Sequence, residues 1–244
     1  MQAQTSLAFS LPQFPFHHIQ AEWRPKITFR IRQGRYTIKT AETKKEFEDT
    51  ILLRSEVFLR EFAGKASGEE IDIDPIDEFA DFLIIKDNDT DETLASYRLI
   101  HSDFSREFYS QSEFLLTSFL RSPGKKLELS RACIRADKRS SGIFLHLLWK
   151  GLGRYIQLSR TSKLFGCSSI QTLKLGEIVN LYHTLRDTHA LSSDYSIRPT
   201  SAYRMVDSKG ILKLPKRMDE AAPNLPPLLM GYIKAGAKVH GEPA

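Results

Sequence analysis

The sequence is short of three features that would each place it in a class of protein. Its 244 residues include only two cysteines, too few for a disulfide framework, and no spacing of cysteines and histidines indicates a metal site. No run approaches the roughly 20 apolar residues that a membrane span needs. Residues 1–20 also lack a basic head followed by an apolar core and a cleavage site. We therefore expect a cytoplasmic protein.

The two cysteines, Cys133 and Cys167, each lie inside an apolar run of the kind found in strands. Such positions predict buried thiols. A catalytic cysteine is the alternative, but the sequence places no histidine where it would activate Cys133.

Charge is the first feature that is present and informative. Lysine and arginine number 35 against 30 aspartates and glutamates, which gives a formal net charge of +5. A positive excess favours an anionic partner, which could be nucleic acid, an anionic membrane surface or an acidic protein. No helix-turn-helix pattern and no basic region with heptads is visible, so nucleic acid is the weakest of the three.

The apolar pattern predicts one α/β domain over residues 26–244, preceded by an aperiodic N-terminal arm over residues 1–25. Thr43, with Glu46 three residues later, has the spacing of a capping box at a helix start. The predicted elements, in chain order, are a hairpin over 27–38, a helix over 43–62, strands at 82–85, 94–100, 127–134 and 163–170, helices at 141–160, 173–186 and 226–237, and a strand pair over 195–214.

An acidic run over residues 69–78 concentrates six carboxylates in ten positions. A solvated loop is one interpretation, because charge runs usually face water. The other is that some of these carboxylates bind Arg54 or Arg98, or hold a cationic substrate.

The strand predicted over 127–134 carries two charges, Glu128 and Arg131, three residues apart. Side chains alternate along a strand, so the two lie on opposite faces unless the strand is bulged or splayed. An edge strand with solvated charges is the alternative.

After the strand comes a basic turn, and a glycine then opens a helix. Free N–H groups and the positive helix end would meet there in an anion-binding corner that suits a pantetheine phosphate.

Several short motifs follow one another in a definite order between residues 50 and 241. They are Arg54-x-x-x-Phe58, Asp74-x-x-Asp77-Glu78-Phe79-Ala80-Asp81, Tyr97-Arg98-Leu99, Phe108-Tyr109-Ser-x-Ser-Glu113-Phe114, Glu128-Leu-Ser-Arg131-Ala132-Cys133, Leu148-Trp149-x-Gly151 and Phe165-Gly166-Cys167. This order resembles the branch of the GNAT superfamily that contains ornithine N-acyltransferases, hemolysin-like proteins and long-chain N-acyl amino acid synthases. Its charged core is also similar to that of the acyl-homoserine lactone synthases.

The resemblance implies a single GNAT-like domain with a mixed, mainly antiparallel twisted sheet flanked by helices. It implies transfer of a long-chain (3-hydroxy)acyl group from acyl carrier protein to the α-amine of an amino acid, with ornithine favoured, as the first step of ornithine lipid synthesis. The residues it assigns to catalysis are Glu128 as general base, Arg54, Arg98 and Arg131 in an ion-pair network with Asp74 and Asp77, and Tyr182 as a candidate acid for the leaving thiolate.

The chemistry asks for such groups, because an ammonium must lose a proton before it attacks a thioester and the developing oxyanion needs an N–H donor. No permanently bound cofactor is expected, since the acyl-phosphopantetheine of the carrier protein is a co-substrate. The residues expected around it are Cys133 and Ile134 at the strand edge for the oxyanion, and Arg135, Arg139, Ser140, Ser141 and Gly142 for the phosphate.

Three departures from the family pattern stand out. Phe82 occupies a position where the branch usually has histidine, and Ile143-Phe144 replaces the small residue expected after the GNAT glycine. The family's chain normally continues past the position of Ala244 into an acidic and apolar stretch; either the sequence is cut short here or the tail is absent, and both interpretations leave acceptor contacts from that tail unassigned.

We expect the basic residues near the cofactor corner to form a docking patch for acyl carrier protein, which is acidic; a solvated face and a contact with anionic lipid are the alternatives. Rival functions are an N-acyl amino acid synthase with another acceptor, an O-acyltransferase on a lipid precursor, and a non-catalytic GNAT-like module that binds a membrane or a protein. The patch comprises Lys125, Lys126, Arg135, Lys138, Arg139, Lys150 and Arg154.

Overall fold

The computed structural model describes residues 16–65, 70–205, 210–217 and 219–244. The chain forms two compact units, each described here by itself. The first contains residues through Arg106 together with Lys125–Phe165, and the second contains Glu107–Gly124 together with Gly166–Ala244. Residues 1–15 of the predicted arm lie outside the described residues, and the single domain over 26–244 stays a prediction.

A six-stranded sheet forms the centre of the first unit. Its strands, in their order across the sheet, are β1 (Arg30–Gln33), β2 (Tyr36–Thr40), β3 (Asp81–Asp87), β4 (Thr93–His101), β6 (Lys126–Ile134) and β7 (Lys163–Phe165). Every neighbouring pair is antiparallel except β6 and β7, which are parallel. The mixed, mainly antiparallel sheet of the predicted α/β fold is thereby confirmed.

Three helices accompany this sheet: α1 (Phe16–Glu22), α2 (Lys44–Ser55) and α4 (Ile143–Ser159). The predicted capping box opens α2, since Thr43 Oγ1 accepts from the N–H of Glu46 at 3.1 Å and Glu46 Oε2 accepts from the N–H of Thr43 at 3.3 Å. The α-helix ends earlier than predicted, at Ser55, and the chain continues as a π-helix over Glu56–Phe62. Such π-helical turns are rare and are frequent at functional sites.

Packing of α4 on the sheet depends on one small residue. A Cβ at Gly151 would lie 2.5 Å from Leu83 Cδ1 and 2.7 Å from Ile38 Cγ2. The missing side chain therefore lets the helix approach β2 and β3 closely.

The opposite face of the sheet holds an aromatic cluster against α2. Trp23 and Phe47 both pack on Phe82, with ring centroids 6.1 Å and 5.4 Å away. Trp23 also donates its indole N–H to the carbonyl of Ala80 at 2.8 Å. Phe82, which replaces the family's usual histidine, is thus part of the core beside the acidic run.

The second unit contains α3 (Thr117–Leu120), α5 (Leu175–Asp187) and α6 (Pro227–Lys234), which confirms the helices predicted near 173–186 and 226–237. Strand β5 (Phe114–Leu115) pairs antiparallel with β9 (Arg198–Pro199), and β8 (Leu191–Ser192) pairs parallel with β10 (Val239–His240).

The strand pair predicted over 195–214 is wrong for the described part of this range, and residues 206–209 lie outside it. Arg198–Pro199 pairs with a strand more than 80 residues earlier, a partner that local sequence cannot identify, and Ile211–Lys213 forms a 3₁₀ turn. The strand predicted over 163–170 is real but ends at Phe165. Within the described ranges, no helix has the length and apolar character that crossing a bilayer requires.

Candidate active site

A bulge in β6 resolves the spacing of Glu128 and Arg131. Arg98 pairs with Ser130 and Ser96 pairs with Cys133, so two steps along β4 oppose three steps along β6. The extra residue sits at Arg131, whose backbone is left-handed with φ of 53°. This is the geometry of a bulge whose first residue usually is glycine, and it costs a residue with a side chain about 1–2 kcal/mol.

The bulge decides which side chains share a face. Residues directly opposite one another in a sheet project to the same side, as do residues two apart in one strand. Ser130 and Cys133 therefore lie on the face that carries Arg98, although they are three positions apart. Glu128 shares this face, because it pairs with Ile100, two residues after Arg98.

Glu128 is fully buried on β6, with a neighbouring strand on each side. Its side chain has no solvent exposure, and its residue pairs with Ile100 of β4 on one side and Phe165 of β7 on the other. The alternative of an edge strand with solvated charges is therefore wrong. The role of Glu128 as general base stays a prediction.

The arginines predicted to bind the acidic run do so from inside the protein. Asp77 Oδ1 accepts from Arg54 Nη1 at 2.9 Å and from Arg98 Nη1 at 3.0 Å. Arg98 Nη1 also reaches Asp74 Oδ2 at 2.6 Å, and Arg98 Nε donates to Ser130 Oγ at 2.8 Å. The side chains of Arg54, Arg98 and Asp77 are all fully buried. The interpretation of the run as a solvated loop is thus wrong for its central carboxylates.

Electrostatics of this cluster favour the charged forms of Asp77 and Arg54. Burial alone would raise the pKa of Asp77, but the neighbouring guanidinium groups of Arg54 and Arg98 outweigh it and hold that pKa below its ordinary value. Burial likewise works to lower the pKa of Arg54, and the carboxylates of Asp77 and Asp72 outweigh it and raise that pKa. Opposite charges in such a buried site stabilise one another in place of the water that burial has removed.

Arg131 binds a carboxylate that the sequence reasoning did not assign. Its Nε contacts both carboxylate oxygens of Asp72, at 3.3 Å and 3.1 Å, and its guanidinium carbon lies 5.4 Å from the centroid of the Phe58 ring. Asp72 also receives Arg54 Nε at 3.4 Å. The network therefore extends from Asp74 and Asp77 to Asp72. The only sequence signal for Asp72 was its place in the acidic run.

The edge of β6 opens after Glu128. Strand β7 pairs with β6 only at Lys126, Leu127 and Glu128, and no other strand in the described chain pairs with β6 on that side. Arg135 donates its N–H toward β4, to Leu94 at 2.9 Å. Because N–H directions alternate along a strand, the N–H of Ile134 points to the open edge. Of the two predicted oxyanion donors, Ile134 rather than Cys133 therefore has the required direction.

The predicted phosphate corner lies just beyond this edge. Gly142 caps α4 with a left-handed φ of 65°, and Ser140, Ser141 and Gly142 are exposed. Arg139 reaches back to the carbonyl of Ile134 with Nε at 2.8 Å and binds Glu61 with Nη1 at 2.6 Å.

Arg135 is engaged by acidic neighbours of its own. It binds Asp137 with Nε at 2.7 Å and Glu92 with Nη1 at 3.1 Å. Its pKa is raised, chiefly by the hydrogen bond to Asp137. Phosphate binding by Arg135 and Arg139 would therefore compete with carboxylates that are already in place.

Cys133 is 4% exposed, and burial raises the pKa of its thiol to about 12. The thiol is thus protonated at neutral pH, which argues against a nucleophilic role. Cys167 is only partly buried, so the prediction of two buried thiols is half right.

Tyr182 lies in the second unit, on α5. Its hydroxyl donates to the carbonyl of Gly241 at 3.3 Å, and its ring packs with Ile178, Val179 and Ile211. Burial, followed by the charge of Glu242, raises the pKa of Tyr182, so the hydroxyl stays protonated. Its role as an acid stays a prediction.

The predicted basic patch does not form around the phosphate corner. Lys126 and Ile134 mark opposite ends of β6, about 26 Å apart at the usual rise per strand residue, so Lys125 and Lys126 are remote from the corner. Arg154 is twelve residues along α4 from Gly142, about 18 Å at the usual helical rise. The sequence could not show this, because it does not give the direction in which each element leaves the corner.

Comparison with known proteins first gives the class. The family described as Acetyltransferase (GNAT) domain matches residues 53–150, a span from the end of α2 through the bulged strand to the middle of α4. This part of the chain thus resembles an acyltransferase domain of the GNAT class.

Three relatives narrow this class. L-ornithine N(alpha)-acyltransferase from Rhizobium meliloti (strain 1021) is 31% identical over 82% of this chain and 72% of its own length. The proteins of the same name from Rhodobacter capsulatus and Brucella abortus are 29% and 25% identical over 86% and 85% of this chain, and over 83% and 78% of their own lengths. The chain belongs to the L-ornithine N(alpha)-acyltransferase family.

Proposed function

We propose that this protein transfers a long-chain (3-hydroxy)acyl group from acyl carrier protein to the α-amine of ornithine, the first step of ornithine lipid synthesis. The acceptor is inferred from the names of the three relatives. The single observation that carries the reaction type is the position of Glu128, a buried carboxylate where β7 leaves β6 and the strand edge opens.

Glu128 accepts a proton from the ornithine ammonium through a chain of waters, because the five paired steps from Ile100 to Ala95 separate it from Ile134 by about 17 Å at the usual rise per strand residue. The freed amine then attacks the thioester carbonyl. The new C–N bond forms as the carbonyl π electrons move to oxygen, and the N–H of Ile134 donates to the resulting oxyanion. The intermediate then collapses: the C–S bond breaks, the pantetheine thiolate leaves, and the nitrogen loses its second proton to solvent, which balances the proton that the thiolate takes up. The assignment of Tyr182 as the acid for this thiolate rests on the family resemblance.

The carrier's phosphopantetheine arm approaches along the open edge, with its phosphate at the exposed turn from Arg139 to Gly142. Support comes from the start of α4, a 17-residue helix whose positive end lies at this turn. Acyl carrier protein would contact Lys138 and Arg139 first, because these basic side chains adjoin the turn. Because the product is a lipid, peripheral contact with an anionic inner membrane face is part of this proposal.

The substitution Glu128→Gln tests the general base, because it keeps size and loses the proton acceptor. We expect kcat for acyl-carrier-dependent acylation of ornithine to fall about 10²- to 10⁴-fold, the usual contribution of acid–base catalysis. Glu22→Gln, the same change at an exposed position of α1, is the matched control and is expected to retain activity. Unchanged activity of folded Glu128→Gln would refute the proposed base.

Donor and acceptor are tested on the wild-type protein. Acylated carrier protein and acyl-coenzyme A are each offered with ornithine, lysine, glycine and an alcohol, and the products are read by mass spectrometry. Exclusive acylation of another amine supports the N-acyl amino acid synthase, and ester products support the O-acyltransferase. Absence of both turnover and carrier binding would leave only the non-catalytic module.

A further inference from the structure

We propose that Arg131 is a positioning residue: its side chain, anchored on Asp72 and Phe58, holds the bulge of β6 and so fixes the direction of the Ile134 N–H. This inference rests on the proposed function in one respect, that the open edge of β6 receives the thioester. It assigns Arg131 and Asp72 to the shape of the strand and not to contact with substrate.

The backbone at Arg131 needs an external restraint. Its φ of 53° lies in the left-handed region, which side-chain-bearing residues adopt rarely and which a β-bulge of this kind usually fills with glycine. Neighbouring residues can keep such a conformation only when their contacts over-determine it. Arg131 is one residue after Ser130, which holds Arg98, and three before Ile134.

The restraint is a two-sided clamp on the guanidinium. One side is the pair of Asp72 oxygens at 3.3 Å and 3.1 Å from Nε, and the other is the Phe58 ring at 5.4 Å. The side chain is only 24% exposed, so the contact is shielded from solvent. Both partners are outside β6, and the clamp therefore ties the strand to other elements.

The clamp is itself fixed to the end of α2. Asp72 donates its backbone N–H to Ser55 Oγ at 2.8 Å, and its carboxylate receives Arg54 Nε at 3.4 Å. Phe58 lies on the π-helix that continues α2. The change from α-helix to π-helix thus begins at the point where Asp72 is bound, and it places Phe58 beside Arg131.

Loss of the clamp would alter the strand after the bulge. Cys133 and Arg135 return to β4 through the pair with Ser96 and the 2.9 Å bond to Leu94, and the bulge decides in which register they return. If the bulge relaxes, the alternation of N–H groups shifts by one position and Ile134 turns away from the open edge.

Three substitutions separate a positioning role from a charge effect. Arg131→Ala removes the anchor and leaves a residue that disfavours positive φ. Arg131→Gly removes the same charge but accepts that backbone conformation freely. Asp72→Asn keeps Arg131 and weakens the clamp. We expect kcat to fall about 10- to 100-fold in Arg131→Ala and Asp72→Asn, the scale of a small misplacement, and to recover to within about 3-fold of wild type in Arg131→Gly.

The comparison of kcat between Arg131→Ala and Arg131→Gly decides the outcome. Equal loss in Arg131→Ala and Arg131→Gly would overturn the proposal, because it would mean that the charge itself is needed. Adding Asp72→Asn to Arg131→Gly should cost less than Asp72→Asn alone, because the glycine bulge no longer depends on the clamp and only the contact of Asp72 with Arg54 is lost. An equal loss in both backgrounds would also overturn the proposal. Arg30→Ala, an exposed arginine paired with Glu42, is the control for loss of an ion pair.

A measurement without substrate keeps this test separate from the proposed function. Hydrogen exchange of residues 129–135 should quicken in Arg131→Ala and Asp72→Asn and stay close to wild type in Arg131→Gly. If the wild-type protein transfers no acyl group, the proposed function is refuted, but the hydrogen-exchange comparison still tests whether the clamp holds the bulge. If Arg131→Ala does not fold, Asp72→Asn against Arg131→Gly carries the same comparison.

Discussion

Replacing Asp77 by asparagine is the most informative perturbation of the buried ion-pair cluster. Asp77 is fully buried and is the one carboxylate here that binds both Arg54 and Arg98, at 2.9 Å and 3.0 Å, while its other oxygen accepts the N–H of Asp74 at 2.9 Å. Asparagine keeps the size of the side chain and removes the charge. Two buried guanidinium groups then lose their main counter-charge.

The expected loss follows from the geometry. Two unit charges about 4 Å apart at an effective dielectric constant of about 20 interact by about 4 kcal/mol, and part of this gain offsets the desolvation of the three groups. Removing one partner of a buried pair costs about 3–5 kcal/mol, because the charge left behind is uncompensated. The free energy of unfolding should fall by that amount, a large part of the about 5–15 kcal/mol typical of folded proteins.

Equilibrium unfolding in urea, followed by tryptophan fluorescence and by far-UV circular dichroism, measures this loss. Asp103→Asn is the matched control, because Asp103 is 42% exposed and its pair with Lys125 should contribute no more than about 1 kcal/mol. The reasoning is refuted if Asp77→Asn and the control lose the same free energy.

The same cluster gives a pH dependence of stability. The pKa of Asp77 is lowered in the folded protein, so its contribution is fully present above the unfolded value of about 3.9 and is lost as the pH falls through the folded pKa. Between about pH 4 and pH 2 the wild-type protein should therefore lose more stability than Asp77→Asn. Parallel curves for the two proteins would contradict this assignment.

Two further predictions concern a helix and a thiol. Gly151→Ala should destabilise the protein, because the new Cβ meets Leu83 Cδ1 at 2.5 Å. Gly153→Ala, in open space on the same helix, should stabilise it by up to about 1 kcal/mol. Thermal unfolding of both variants shows whether each change raises or lowers stability. Iodoacetamide at pH 8 should label Cys167 and spare Cys133 until the protein unfolds, because burial raises the pKa of the Cys133 thiol to about 12; early labelling of Cys133, read by peptide mass spectrometry, would contradict its burial.

Local features of the fold were predictable because their causes are local. The hairpin of β1 and β2 follows from alternation around a glycine turn, and the start of α2 follows from the Thr43 and Glu46 capping box. The end of α2 was not predictable. Apolar residues continue at helical spacing to Phe62, but the π-helix begins after Ser55, which binds Asp72, and its Phe58 contacts Arg131; both partners are distant in sequence.

The sequence predicted most residues of the candidate site but not all of the ion pairs that they form. Motif order identified Arg54, Arg98 and Asp77, and the structure pairs them. The motif order gave no reason to select Asp72 among the six carboxylates of the acidic run. Which carboxylate forms an ion pair depends on the path of the loop in space and not on its composition. The predicted basic patch was wrong for a related reason. Residues that are close in sequence lie far apart in space when an extended strand separates them, and β6 is nine residues long.

Sequence alone determined the class of fold, the charged residue types of the core and the strand that carries Glu128. It left open which face Arg131 would take, because alternation admits either a regular strand or a bulge. Only the tertiary structure decided this: the register of β4 against β6 inserts one residue, and Asp72 and Phe58 hold Arg131 in a left-handed conformation. The physical reason is that a bulge is stabilised by contacts from outside the strand, which strand periodicity does not encode.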